Sequence, residues 1–225
     1  MNTRIIIAIL FAVITFQGIS QSDRSREFQA RIGYGIGAYG TKSELTIRDQ
    51  NTTFSSSDTS GAVTQHLNLD LRYELTDRIT LGVDMKFGAY LYDPEEDNTG
   101  KSNVYRITGL KGEFNISKRS NFRWFVGAGF HASRLVISEE SVAFGITNKE
   151  EFDYRGVGLS ANTGIIKYFG DGPIGMFFTM GYDGHSFILD EYTINGEAVD
   201  FDEIDVTLDA RGIDLSLGLI VRIRP

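Results

Sequence analysis

His131-Ala132-Ser133 sets a base and a nucleophile two residues apart. In a strand such residues share a face. With Glu139 or Glu140 behind the imidazole, they could form a Ser-His-Glu hydrolase site, the histidine taking the serine proton and the acid orienting the ring. The other histidines, His66 and His185, do not stand at metal-ligand spacing. Asp200-x-Asp202-Glu203-x-Asp205 is spaced like a calcium loop, but lacks its turn glycine and its closing glutamate. The chain has no cysteine, which excludes disulfides, a cysteine-borne lipid anchor and thiolate zinc sites. No catalytic, cofactor-binding or metal-binding residue is assigned on these patterns, and no enzyme activity is expected.

The segments carrying these residues alternate. His66 to Leu75 reads His-Leu-Asn-Leu-Asp-Leu-Arg-Tyr-Glu-Leu. A strand turns that sequence into one apolar face and one ionic face, whereas a helix would scatter the leucines. Seven further segments repeat the pattern: Phe28 to Ala38, Ile79 to Leu91, Val104 to Ile116, Phe122 to Ala132, Val157 to Ile165, Ile174 to Tyr182 and Ile213 to Ile223. In the segment from Val104, the apolar face shifts from Tyr105 and Ile107 to Leu110, Phe114 and Ile116, which predicts a bulge near Thr108-Gly109.

Long polar stretches at residues 41–62, 93–103, 137–153 and 184–205 read as loops. They alternate with short turns at residues 76–78, 117–121 and 170–173. Apolar residues in the fourth loop, Phe187 to Leu189 among them, could carry its strands upward as a hairpin. Eight strands with alternating connections predict an all-β, eight-stranded antiparallel up-and-down transmembrane β-barrel, with both chain ends on the short-turn side. Ahead of it, Arg4, the apolar run Ile5 to Phe16 and Gly18-Ile19-Ser20 form a signal peptide, residues 1–20. Residues 21–225 are then one barrel domain.

Two features decide which face meets lipid. The polar face is rich in glycine: Gly33, Gly35, Gly37, Gly82, Gly127, Gly129, Gly158 and Gly218 are examples. A solvated exterior gains nothing from glycine, but an eight-stranded barrel has room inside only for its own side chains. The charges of that face also balance. The bases are Arg31, Arg72, Lys86, Lys111, Arg123 and Arg222, and the acids are Asp70, Glu74, Asp84, Glu113, Asp183 and Asp214, six of each sign. Buried charges need partners, so these twelve predict a neutral structural network in the lumen. Aromatics near segment ends, Phe28, Tyr73, Tyr105, Phe114, Phe122, Trp124 and Tyr182, fit interface girdles.

From about Phe28 to Arg224 the chain resembles the small eight-stranded outer-membrane barrels, the group of the OmpA transmembrane domain, OmpX and OmpW. The resemblance implies residence in the outer membrane of a Gram-negative cell, in contact with its lipid and lipopolysaccharide, and no cofactor. Such barrels usually end on an aromatic residue, whereas this chain ends Val221-Arg222-Ile223-Arg224-Pro225. Lipid A deacylases built on eight-stranded barrels carry a His-x-Ser pair with a glutamate, facing lipid. Here parity turns His131 and Ser133 inward.

The chain carries 22 Lys and Arg against 30 Asp and Glu. That balance excludes nucleic acid as a partner, because phosphate binding needs clustered bases. Residues 184–205 hold Asp190, Glu191, Glu197, Asp200, Asp202, Glu203 and Asp205 with no Lys or Arg. The external end should therefore be negative and suited to cationic or divalent-ion contacts. The expected role is structural or surface interaction by a monomer with a plugged lumen. The alternatives are a narrow OmpW-like conduit for small apolar molecules, for which inward Tyr90, Phe125, Phe177 and Ile220 are the hint, a lipid A-modifying hydrolase, and a soluble secreted barrel.

Overall fold

The computed structural model describes residues 26–49, 52–92, 102–119, 121–143, 146–199 and 204–223. The expected signal peptide, residues 1–20, and most of the stretch at residues 93–103 lie outside them. The strands are β1 (Phe28–Asp49), β2 (Thr52–Glu74), β3 (Ile79–Tyr92), β4 (Ser102–Arg119), β5 (Phe122–Ala143), β6 (Ile146–Tyr168), β7 (Ile174–Ile194), the two-residue β8 (Glu197–Ala198) and β9 (Ile204–Ile223). Each long strand pairs antiparallel with its sequence neighbour. β9 pairs with both β1 and β7, so eight staves close into a ring, with β8 a spur on β7. Closure leaves no free sheet edge, the condition for putting strands in lipid.

Glycine makes the closing seam possible. Gly33 and Gly218 face each other across β1 and β9. A Cβ on Gly218 would stand 2.1 Å from the Ile32 carbonyl oxygen, and one on Gly33 would stand 2.6 Å from the Phe177 ring. At the short-turn end, Leu75 and Thr76 donate backbone hydrogen bonds to the Ile79 carbonyl, and the Thr76 hydroxyl accepts from Ile79 N–H at 3.0 Å. At the opposite end of β7, Asn195 and Gly196 take φ of 53° and 84°. Those are the left-handed positions a two-residue hairpin turn demands.

The outer face carries an apolar belt. Ile32, Tyr34 and Ile36 on β1, Leu67 and Leu71 on β2, Val126 and Phe130 on β5, and Leu217, Leu219 and Val221 on β9 are all exposed. The lipid-facing stretch of each strand is about the 9–11 residues a tilted strand needs to cross a bilayer. Phe28, Phe114 and Trp124 are exposed near its short-turn edge, and Tyr182 is exposed higher on β7. Tyr105 departs from expectation: it points into the lumen and is buried.

The strands run well past the belt. Residues 41–62, expected as a loop, continue the β1–β2 ladder up to the pair Asp49↔Thr52. Residues 137–153 likewise continue β5 and β6 to Ala143↔Ile146, and β7 climbs to Ile194. Serine and threonine are compatible with extended backbone. Above the membrane nothing requires an apolar face, so the ladder persists where hydrophobic alternation stops. The bulge expected near Thr108-Gly109 is absent, since β4 and β5 stay in register from Ser102↔Ser138 to Asn115↔Phe125. The shift lies between Asn115 and Ser117. Tyr105 and Ile107 simply occupy an apolar level of the lumen. A second irregularity lets Asp190 bulge from β7 where β6 passes from Asp153 to Tyr154.

Candidate functional site

The lumen is the place where this sequence spends its polar chemistry. All twelve charged residues read from parity project into it, with Asp70 and Lys111 half-buried and the other ten buried. They assemble in levels.

At the short-turn mouth, Arg123 reaches Glu27 and, at 3.3 Å, Glu74. Arg222 lies 3.8 Å from Glu27, stacks 4.3 Å above the Tyr168 ring and donates to the Gly172 and Asp171 carbonyls. Phe125, Ile166, Tyr168, Phe177 and Ile220 form an apolar layer there. Arg31 spans that layer, with its guanidinium carbon 5.2 Å from the Phe125 ring centre. Its two terminal nitrogens hold both oxygens of Glu113 at 2.8 and 2.7 Å. Arg72 lies 3.9 Å from Glu113 and 3.3 Å from Asp70, and donates to the Lys111 carbonyl at 3.1 Å. One carboxylate set between two guanidiniums, with Arg31 gripping both its oxygens, is how a charge is kept buried at tolerable cost.

Higher, Lys86 sits between Asp183 at 2.6 Å and Asp214 at 3.4 Å. His66 Nε2 lies 3.2 Å from Asp214, and His131 Nε2 lies 3.2 Å from Asp84. His185 lies near His131, with the rings tilted and their centres 6.1 Å apart. All three histidines are thus buried lumen groups. Ser133 also points inward and is buried; Glu140 is exposed and Glu139 half-buried. The carboxylate against His131 is Asp84, from a different strand. Above this level the lumen turns apolar again: Tyr39, Tyr90, Tyr105, Ile107, Leu135, Tyr154, Phe187 and Leu208 pack together, the tyrosine rings 6.3 Å apart in successive pairs.

Glu27, a carboxylate with two arginine neighbours, escaped the sequence reading because the alternation was read only from Phe28 onward. Its signal was the parity of Phe28 carried back one position. Among the described residues no cluster of ligands is arranged to hold a metal ion. Asp200 to Glu203, the heart of the calcium-like stretch, fall outside them.

No protein-family model matches the chain, and no curated protein matches it by sequence. Solved structures do match. The outer membrane protein OprG from Pseudomonas aeruginosa superposes with a TM-score of 0.59 at 14% identity, over 91% of this chain and 99% of that one. Neisserial surface protein A gives 0.41 at 12% identity over 84% and 96%. Ail of Yersinia pestis gives 0.36 at 13% identity over 89% and 100%. The likeness to OprG establishes the fold: an eight-stranded barrel of the outer-membrane kind, with a salt-bridged interior.

Proposed function

We propose that the chain is a non-enzymatic, monomeric outer-membrane barrel, sealed across its lumen, with a structural or surface-interaction role exercised by its tall outer end. The observation that carries this reading is the succession of buried side-chain layers in the lumen. An ionic layer, an apolar layer, the Arg31–Glu113–Arg72 and Lys86–Asp183–Asp214 networks and the tyrosine-rich cap follow one another along the axis. An ion crossing it would have to displace salt bridges that are themselves buried.

The conduit alternative rests on Tyr90, Phe125, Phe177 and Ile220. All four face inward, but they are buried at 5%, 0%, 3% and 0% exposure, in contact with protein rather than lining an open bore. The hydrolase alternative needs its nucleophile at the lipid face, and that face is occupied beside Ser133 by Phe130 and Ala132. Glu191 and Glu197, exposed at the outer end, support cation or divalent-ion contacts there.

Purified protein reconstituted in a planar bilayer should show no stable conductance steps at neutral pH. A large, persistent conductance would overturn the sealed reading.

A further inference from the structure

The outer rim of the belt carries an arrangement that a strand ladder avoids. Arg106 on β4 faces Arg134 on β5, and Arg134 faces Arg155 on β6. All three are exposed. Directly opposed like charges destabilise a sheet, so three in one row call for a compensating ligand or partner. Two have a partial one. Asp153 takes Nε and Nη2 of Arg134 at 2.9 and 2.7 Å, and Asp190 lies 3.0 Å from Nε of Arg155. Each carboxylate grips an Nε edge, which leaves Nη1 of Arg134 and both Nη groups of Arg155 unengaged among the described residues. Arg106 rests over the Phe87 ring at 5.4 Å, and none of its donors is engaged among the described residues.

The height of the row identifies its medium. On each strand the arginine stands two positions further toward the long end than a side chain of the outer face: Thr108 on β4, Ala132 on β5, Val157 on β6. That is the level at which hydrocarbon gives way to headgroups. Two positions from Arg155, starting at Val157, runs a groove of about 580 Å³ walled by Phe130, Val157, Leu159 and Tyr182, with Ser186 and the Asp209–Arg211 pair also lining it. Its size falls within the ~300–1,000 Å³ of small-ligand sites. A water-borne anion would match the arginines and have no use for an apolar groove in the belt. A lipid tail alone would have no use for the arginines.

The geometry points to a bound outer-leaflet lipid bearing phosphate and several acyl chains: phosphate on the Arg106–Arg134–Arg155 row, one chain in the Phe130–Tyr182 groove. The site rests on membrane insertion with the long end outward and is independent of whether the lumen conducts.

The probe is bisphosphorylated lipid A, titrated into detergent-solubilised barrel and counted by native mass spectrometry. Wild type should retain it, and should retain the dephosphorylated form at least about tenfold less well, the loss of one or more charge-assisted hydrogen bonds. Arg106→Gln with Arg155→Gln should lose retention to a similar degree, as should Ser186→Trp, which fills the groove. Heat-modifiable migration on gels verifies folding of each variant. Equal retention of both lipid forms by wild type overturns the site without recourse to any variant. Unchanged retention by the double glutamine variant overturns the arginine row, and unchanged retention by Ser186→Trp overturns the groove.

Discussion

Glu113 is the residue on which the lower lumen depends most. It is buried, and Arg31 and Arg72 both lean on it. Removing it leaves two guanidiniums facing each other in a closed space, so Glu113→Ala should destabilise the folded barrel by ~3–5 kcal/mol, as breaking a buried pair does. Urea unfolding in liposomes, followed by Trp124 fluorescence, measures it. A loss under about 1 kcal/mol would mean that the network is solvated after all. The twelve network residues were legible because parity alone sorts side chains into two faces. Their partnerships were not. Nothing in the sequence couples Arg31 to Glu113 or Lys86 to Asp183, since those pairs form across the bore and depend on how far the strands stagger. Tyr105 was misplaced for a related reason: a lumen with apolar levels breaks the equation of apolar with outward.

At the level of the strand, the alternation that marks the eight staves reports only the lipid-crossing half of each. There, a polar side chain on the outer face meets hydrocarbon, and the sequence is constrained at every second position. Leu71 is 49% exposed on the outer face of β2. Leu71→Arg should therefore cost roughly 2–4 kcal/mol on insertion, the range for a base near the midplane. Folding yield into lipid vesicles, read by heat-modifiable mobility, tests it, and wild-type yield would show that the faces are reversed. Beyond the belt the same backbone continues with Ser55, Ser56 and Ser57 in ladder with Thr46, Leu45 and Glu44. Water tolerates any side chain there, so the pattern that announces a strand disappears while its hydrogen bonds remain. This is why residues 41–62 and 137–153 read as loops. A one-residue irregularity such as the shift between Asn115 and Ser117 leaves its mark on pairing and none on composition.

For the whole molecule, the consequence is a lopsided barrel. Phe28 and Ile223 pair with each other at the short-turn end, beside the turns after Leu75 and Tyr168, while the hairpins after Asp49 and Ile194 rise at the other end. A barrel inserted from the periplasm carries its long end across first only if that end holds no obligate periplasmic contact. The long end also carries the exposed acids Glu191 and Glu197. The long end should thus face the medium. An epitope inserted between Asp49 and Thr52 should bind antibody on intact cells. The same epitope placed after Thr76 should bind only after the outer membrane is permeabilised. Labelling of the Thr76 site alone on intact cells would invert the orientation, and would move the arginine row and its groove to the inner leaflet, where phospholipid rather than a heavily phosphorylated glycolipid would have to fill them.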